Sequence, residues 1–381
     1  MTLNILGAVL LAVGSVAAYL LASPRAGAPA AGWFPDPASG TPRQRFWDSR
    51  AWTGHVVEAG EPAALGHRFR GRFWGPWTGY LAGAAVVLVA GAAVYRSTEQ
   101  IHVLAAASLL SMAGVCWAFY RFVNQQLALD DVVDQLQVLA VAGGAAGATL
   151  LIAANINALI IDGIGISTAT ATVGFVEEGT KFLVPLALFL LGTYRDPRAG
   201  VALGMAGGFG FAVAETTQYA YATAAATGPD FCGAATSVTP GSVIQEQVFR
   251  IFTVSPLHWL WTGIAVAIAW RLWHLHGRRG TLGAVGGLLM VMVIHSLNDS
   301  SATAFCDNPD AQGLAALLRF PLLIVMYVVF RAWTRKSTPP QLIGRVTRAW
   351  TPRHLPRPVQ GRAPVLETAA GTAQRDTPSD E

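Results

Sequence analysis

Charge is what this sequence has least of. Only 13% of its 381 residues are Asp, Glu, Lys or Arg, against roughly 25% in soluble domains. That shortage excludes an ordinary water-soluble globule, and 53% hydrophobic residues with a mean hydropathy of +0.43 point to a membrane protein instead. Cysteine is scarce as well: three in the whole chain exclude a disulfide-built scaffold. Also missing are H-E-x-x-H, G-x-S-x-G and G-x-x-x-x-G-K-[ST], so no soluble hydrolase or nucleotide-binding signature is present. The net charge of +4 comes from short basic clusters between apolar runs. Such clusters report membrane topology and make no surface for nucleic acid.

Nine apolar runs are present, at 3–22, 77–95, 101–120, 136–161, 168–191, 200–226, 256–273, 282–305 and 313–333. Each is near the roughly 20 residues that cross a hydrocarbon core. The expected fold is therefore all-α, a polytopic transmembrane helical bundle of eight or nine spans in the lipid bilayer of the cell membrane. With alternating spans, Arg68, Arg70 and Arg72, then Arg195 and Arg198, Arg278 and Arg279, and Arg331, Arg335 and Lys336 all fall on one side. By the positive-inside rule that side is the cytoplasm. The connections 162–167, 227–255 and 306–312 then lie outside. No basic residue precedes the first run, which reads as an anchor over 1–23 and not as a cleaved signal.

Two appendages flank the polytopic part, 77–335. Residues 31–58 gather Trp33, Phe34, Phe46, Trp47 and Trp52 among turn-forming Pro, Asp and Gly. So short a module has little besides aromatic rings to build a core from. Residues 336–381 are rich in Pro, Arg, Thr and Ala, which predicts a disordered, basic cytoplasmic tail. Cys232 and Cys306 fall in or beside outside segments, where disulfides form, and are expected to pair.

The informative residues are the few charges inside the spans. GFVEEGTKF carries Glu177, Glu178 and Lys181; FGFAVAETTQYAY carries Glu215; SPLHWLWTG carries His258; VMVIHSLNDS carries His295, Asn298 and Asp299. A carboxylate at the bilayer centre costs on the order of 3 kcal/mol or more. Lys181 is one helical turn from both glutamates and neutralises only one of them, which leaves a carboxylate and Glu215 without an evident basic partner. Counting about 1.5 Å per residue, Glu178 lies roughly 15 Å below the outer surface, Glu215 and His295 on the order of 10 Å, and His258 close to it. The four stretches can thus meet in the outer half of the bilayer. Gly200, Gly204 and Gly208 recur every four residues, a stripe that lets the sixth run approach a neighbour closely.

Carboxylates with imidazoles suit two chemistries: a divalent metal such as zinc with an open position for water, or direct activation of water by a glutamate and a histidine. Buried Glu, Lys and His also mark ion pathways, so an ion- or proton-coupled transporter is the competing reading. Inverted repeats would favour it, and the EE-x-x-K stretch has no counterpart in the other half.

The ordered motifs EE-x-x-K, F-x-x-x-E, a helix opening with His, and H-x-x-x-D resemble the PrsW family of intramembrane proteases over residues 140–335. That family is related to the type II CAAX prenyl proteases and the Abi proteins. The resemblance implies an intramembrane endopeptidase with Glu177, Glu178, Glu215, His258 and His295 as catalytic residues. Lys181, Asn298 and Asp299 would support them. A divalent metal, in the first instance Zn, would be held by Glu215, His258 and His295. It also implies a single-pass membrane protein as substrate, and some relatives cleave anti-sigma factors. The chain departs from the pattern at Thr216, where the second motif often has Asn. The aromatic stretch resembles a short domain of unknown function with the pattern GW-x-PDP…R-x-WDG-x-x-WT, Ser49 replacing its Gly.

Overall fold

The computed structural model describes residues 2–22, 29, 32–39, 43–47, 52–58, 75–127, 129–131, 133–191, 194, 197–227, 232, 237–337, 346–348, 356 and 358. Its helices are α1 (Thr2–Ala22), α2 (Pro76–Thr98), α3 (Ile101–Leu127), α4 (Gln135–Ala148), α5 (Ala154–Ile164), α6 (Ile166–Leu190), α7 (Pro197–Ala224), α8 (Pro240–Phe249), α9 (Ser255–His276), α10 (Thr281–Ala304) and α11 (Pro309–Ser337). One π-turn, Thr149–Ala153, joins α4 to α5, and another, Arg250–Val254, joins α8 to α9. Among the described residues this makes nine rods. Eight are long and apolar enough to cross a membrane. The ninth, α6, has the length at 25 residues but carries Glu177, Glu178 and Lys181.

Helix α7 forms the centre and is buried almost continuously from Pro197 to Ala212, packing on α9, α4 and α3. The glycine stripe faces α9: Gly200 lies against Trp270, Gly204 against Val266 and Gly208 against Trp259. At Gly208 a Cβ would come within 2.4 Å of the Trp259 Cα, so only glycine admits this approach. Helices α2 and α11 are peripheral and turn Val86, Val89, Leu317, Leu318 and Ile324 outward, as a lipid-facing surface requires.

One stretch read as an outside connection is helical. Residues 240–254 continue α9 backwards as α8 and the π-turn. Thr239 caps α8, accepting from the Ser242 backbone while the Ser242 hydroxyl accepts from the Thr239 N–H, and Pro240 occupies the first turn. The polar residues that resemble a loop have partners or are buried: Glu246 lies 3.7 Å from Arg250, one turn on, and Gln247 is buried. His258 therefore sits well inside a rod and not at a helix opening near the surface. Cys232 and Cys306 are joined, tying the segment after α7 to the end of α10. Cys116 is a buried free thiol.

The aromatic module is a sheet of β1 (Gly32–Pro35), β2 (Arg43–Trp47) and β3 (Trp52–Glu58), antiparallel throughout. Trp33 packs on Phe46, and Trp52 meets Phe34 and Trp47 edge-on. Asp36 accepts from both Arg43 and Arg45. Burial raises its pKa, but the bonds from Arg45, the Ala38 N–H and Arg43 outweigh that and hold the carboxyl below its ordinary 3.8. A fourth strand, β4 (Val346–Arg348), comes from the tail and pairs with β3, so one tail segment is structured. Strands of one sheet lie on one side of a membrane. An even number of crossings must then separate β3 from β4; if the seven apolar rods from α2 to α11 all cross, the number is even when α6 crosses too.

Candidate active site

Four elements converge on one buried cluster. Helix α6 contributes Glu177, Glu178 and Lys181, α7 contributes Glu215, α9 contributes His258 and α10 contributes His295. Helices α6 and α10 approach closely because Gly174 sits against α10, where a Cβ would lie 2.2 Å from the Met292 carbonyl oxygen. The Gly174 N–H donates to Ser296 Oγ at 3.1 Å beside it. Glu178, Lys181 and His295 are fully buried, and Glu177 and His258 nearly so.

The two adjacent glutamates have different surroundings. Glu178 is saturated: Oε1 accepts from Lys181 Nζ at 2.6 Å and from His295 Nδ1 at 2.9 Å, and Oε2 accepts from Thr262 Oγ1 at 2.8 Å. A carboxylate only accepts, so the proton of His295 is on Nδ1 and the bare Nε2 points the other way. That carboxylate–imidazole pairing is the arrangement that orients metal-binding histidines. Trp261 stacks on the His295 ring, with centroids 4.1 Å apart. Glu177 uses only one oxygen, Oε1, which accepts from Asn157 Nδ2 at 3.2 Å. Its Oε2 lies 3.5 Å from His295 Nε2 and 4.0 Å from both His258 Nδ1 and Lys181 Nζ, without a hydrogen bond.

His258 presents Nδ1 to Lys181 Nζ at 2.9 Å and Nε2 to Glu215 Oε2 at 3.0 Å, with Phe211 against the ring. Glu215 does have a basic partner, which sequence reasoning missed: Arg250 Nη2 lies 2.7 Å from the same Oε2. The Arg250 guanidinium also lies 3.5 Å over the Tyr219 ring, a contact that favours a desolvated cation. It belongs to the π-turn, an irregularity often found at functional sites. Its signal in the sequence was an arginine one turn beyond Glu246 with no other acidic neighbour nearby. Asp299 Oδ2 stands 3.7 Å from His295 Nε2. Asn298 donates to Asp299 Oδ1 at 2.8 Å. Thr216, where the motif often has Asn, shares a hydrogen bond with Ser255 Oγ at 2.8 Å.

Four polar atoms are thus buried near one another without an aligned hydrogen bond among the described residues: Glu177 Oε2, Glu215 Oε2, His258 Nε2 and His295 Nε2. Glu215 Oε2 still has Arg250 Nη2 at 2.7 Å and His258 Nε2 at 3.0 Å, whereas the nearest partner of Glu177 Oε2 is His295 Nε2 at 3.5 Å; a buried acceptor left like that is costly, and a cation beside it removes the cost. Three of the residues, Glu177, His258 and His295, each offer a ligand atom within 4.8 Å of the others. One carboxylate and two imidazoles form a ligand set for a catalytic metal. Glu215, expected among the ligands, stands beside that group with Arg250.

Residues 134–333, which contain all of these side chains, match the model of the PrsW family intramembrane metalloproteases. The chain belongs to the PrsW family. Its protease role and its multi-pass membrane character follow from that membership and from the apolar rods. Residues 31–65 match DUF2510, a protein family of unknown function. No curated protein and no solved structure matches the chain at a significant level.

Proposed function

We propose that this PrsW-family protein hydrolyses a peptide bond of a single-pass membrane protein, within the outer half of the bilayer. The anti-sigma factors that the family resemblance points to are the first substrates to test. The observation that carries the reading is the buried group Glu177, His258 and His295, whose ligand atoms lie within 4.8 Å of one another. An ion-coupled transporter would also need ion ligands, and it is the match to the intramembrane metalloproteases that favours hydrolysis.

In this reading Glu177, His258 and His295 hold a divalent metal, Zn in the first instance. When bound it supplies Lewis acidity toward water or the scissile carbonyl. The chain's own residues do the rest. Glu215, kept as an anion by Arg250, takes the proton of the attacking water and passes it to the leaving amine. Glu178 acts behind the site, holding the His295 tautomer and orientation. Lys181 neutralises Glu178 and keeps a cation near Glu177. Aromatic walls from Phe211 and Trp261 limit bulk water, which strengthens every charge inside. The N-terminal module and the tail lie in the cytoplasm, on the strength of the arginine distribution.

Co-expression with candidate single-pass proteins tests this. Full-length substrate should disappear with the wild type and persist with Glu177→Gln, Glu215→Gln, His258→Ala and His295→Ala. Cleavage that survives both Glu177→Gln and His295→Ala would defeat the mechanism. Reporter fusions after residue 60 and after residue 340 should both read cytoplasm, and an external signal from either would overturn the orientation.

A further inference from the structure

The aromatic module has three strands of its own and a fourth that is borrowed. Strand β4 lies antiparallel to β3 with His55 opposite Arg348, Val56 opposite Thr347 and Val57 opposite Val346. It covers the outer edge of β3, an edge that would otherwise present unpaired N–H and C=O groups. Val56 and Val57 are both buried although they point to opposite faces of the sheet. A second contact fixes the tail farther along: the Trp52 indole N–H donates to the Pro356 carbonyl at 2.7 Å. Trp52 is held in place by edge-on contacts with Phe34 and Trp47. It is also the tryptophan of the W-T pair that closes the module's sequence pattern.

We propose that the outer edge of β3 together with the Trp52 indole is a strand-addition site, and that its ligand is this chain's own tail, held through strand Val346–Arg348 and the Pro356 carbonyl. Main-chain bonding recognises the extended backbone, and the indole N–H selects for a carbonyl presented farther along. The pairing latches the segment after α11 to the module after α1, so the two ends of the chain form one sheet. Three paired residues make a short strand, and the Trp52–Pro356 bond adds a second point of attachment. The membrane spans are not involved, and the proposal stands apart from the proteolytic reading.

Paired cysteines in the full-length protein, in membranes, test the latch. The native thiols do not interfere, since Cys232 and Cys306 are joined and Cys116 is buried. Under mild oxidation Val57→Cys with Val346→Cys, or Val56→Cys with Thr347→Cys, should form an intrachain disulfide. Val57→Cys with Arg348→Cys, two residues out of register, should not. An excess of synthetic peptide with the sequence of residues 343–358 should suppress the in-register cross-link. The same peptide carrying Thr347→Pro should have no effect, because proline removes a strand N–H. Trp52→Phe should also reduce cross-linking while the module's aromatic packing persists. Equal cross-linking of in-register and offset pairs, or none in either in-register pair, overturns the proposal. Cross-linked dimers in place of intrachain product overturn it too, because the ligand would then be a second copy's tail.

Discussion

Replacing each of the two adjacent glutamates by glutamine should have opposite consequences for stability. Glu177 Oε2 has no hydrogen bond, and Oε1 accepts one bond from Asn157 that a glutamine oxygen keeps. In metal-free protein Glu177→Gln therefore removes a buried charge at little cost, within about 1 kcal/mol either way, while in metal-loaded protein the lost metal would add to that cost. Glu178 accepts three bonds, from Lys181, His295 and Thr262. Its replacement leaves the fully buried Lys181 with its next carboxylate oxygen 4.0 Å away on Glu177. Breaking a buried ion pair by removing one partner costs about 3–5 kcal/mol. At about 2–4 °C per kcal/mol, the figure for a unit the size of the matched region 134–333, the midpoint should fall by on the order of 10 °C. Labelling of Cys116, the buried free thiol, during a thermal ramp in detergent reads unfolding directly. Both variants should lose cleavage, Glu177→Gln through a lost ligand and Glu178→Gln through a misoriented His295. Equal midpoint losses, or a larger loss in Glu177→Gln, would refute the division of labour.

Further outcomes follow from other contacts. Arg250→Met should lower cleavage about 10- to 100-fold, as loss of an outer partner does, with bound metal unchanged and partial recovery in Arg250→Lys; a loss of metal along with activity would make Arg250 merely structural. Gly208→Ala should destabilise by about 1–3 kcal/mol through overpacking against the Trp259 backbone, whereas Gly179→Ala, whose Cβ would meet only Met292 Cε at 4.0 Å, should be tolerated in the same thermal assay. Asp36 has a lowered pKa, so its bonds stabilise the module above 3.8 and that stability is lost as pH falls through the lowered value. Protection of the amides of residues 32–58 against hydrogen exchange, corrected for the intrinsic pH dependence of exchange, should fall in acid, and Asp36→Asn should show the low protection already at neutral pH. An unchanged rate in Asp36→Asn would contradict the assignment.

Much of this was legible in the sequence because hydropathy is a local signal. Runs of some twenty apolar residues gave the rods, and lone charges within them marked the site. The contacts that assign roles are not local. Glu177 and Glu178 relate to Lys181 in nearly the same way along the helix, and only the rotation of α6 against α10 decides which one meets His295. Arg250 sits in a polar stretch that reads as a loop, and its link to Glu215 depends on a π-turn that no residue pattern announces. The glycine stripe did foretell a close approach, and α9 proved to be the neighbour. Val346–Arg348 is too short for any alternation to show, and its partner strand lies nearly three hundred residues away in the chain.

The central claim is that Glu177, His258 and His295 hold a catalytic metal. Its most direct test is the metal content of purified protein, measured by elemental analysis on the same preparations used for cleavage. Wild type should carry close to one divalent ion per chain, and Glu177→Gln with His295→Ala should carry almost none while remaining folded. Metal-free wild-type protein that still cleaves its substrate would contradict the account.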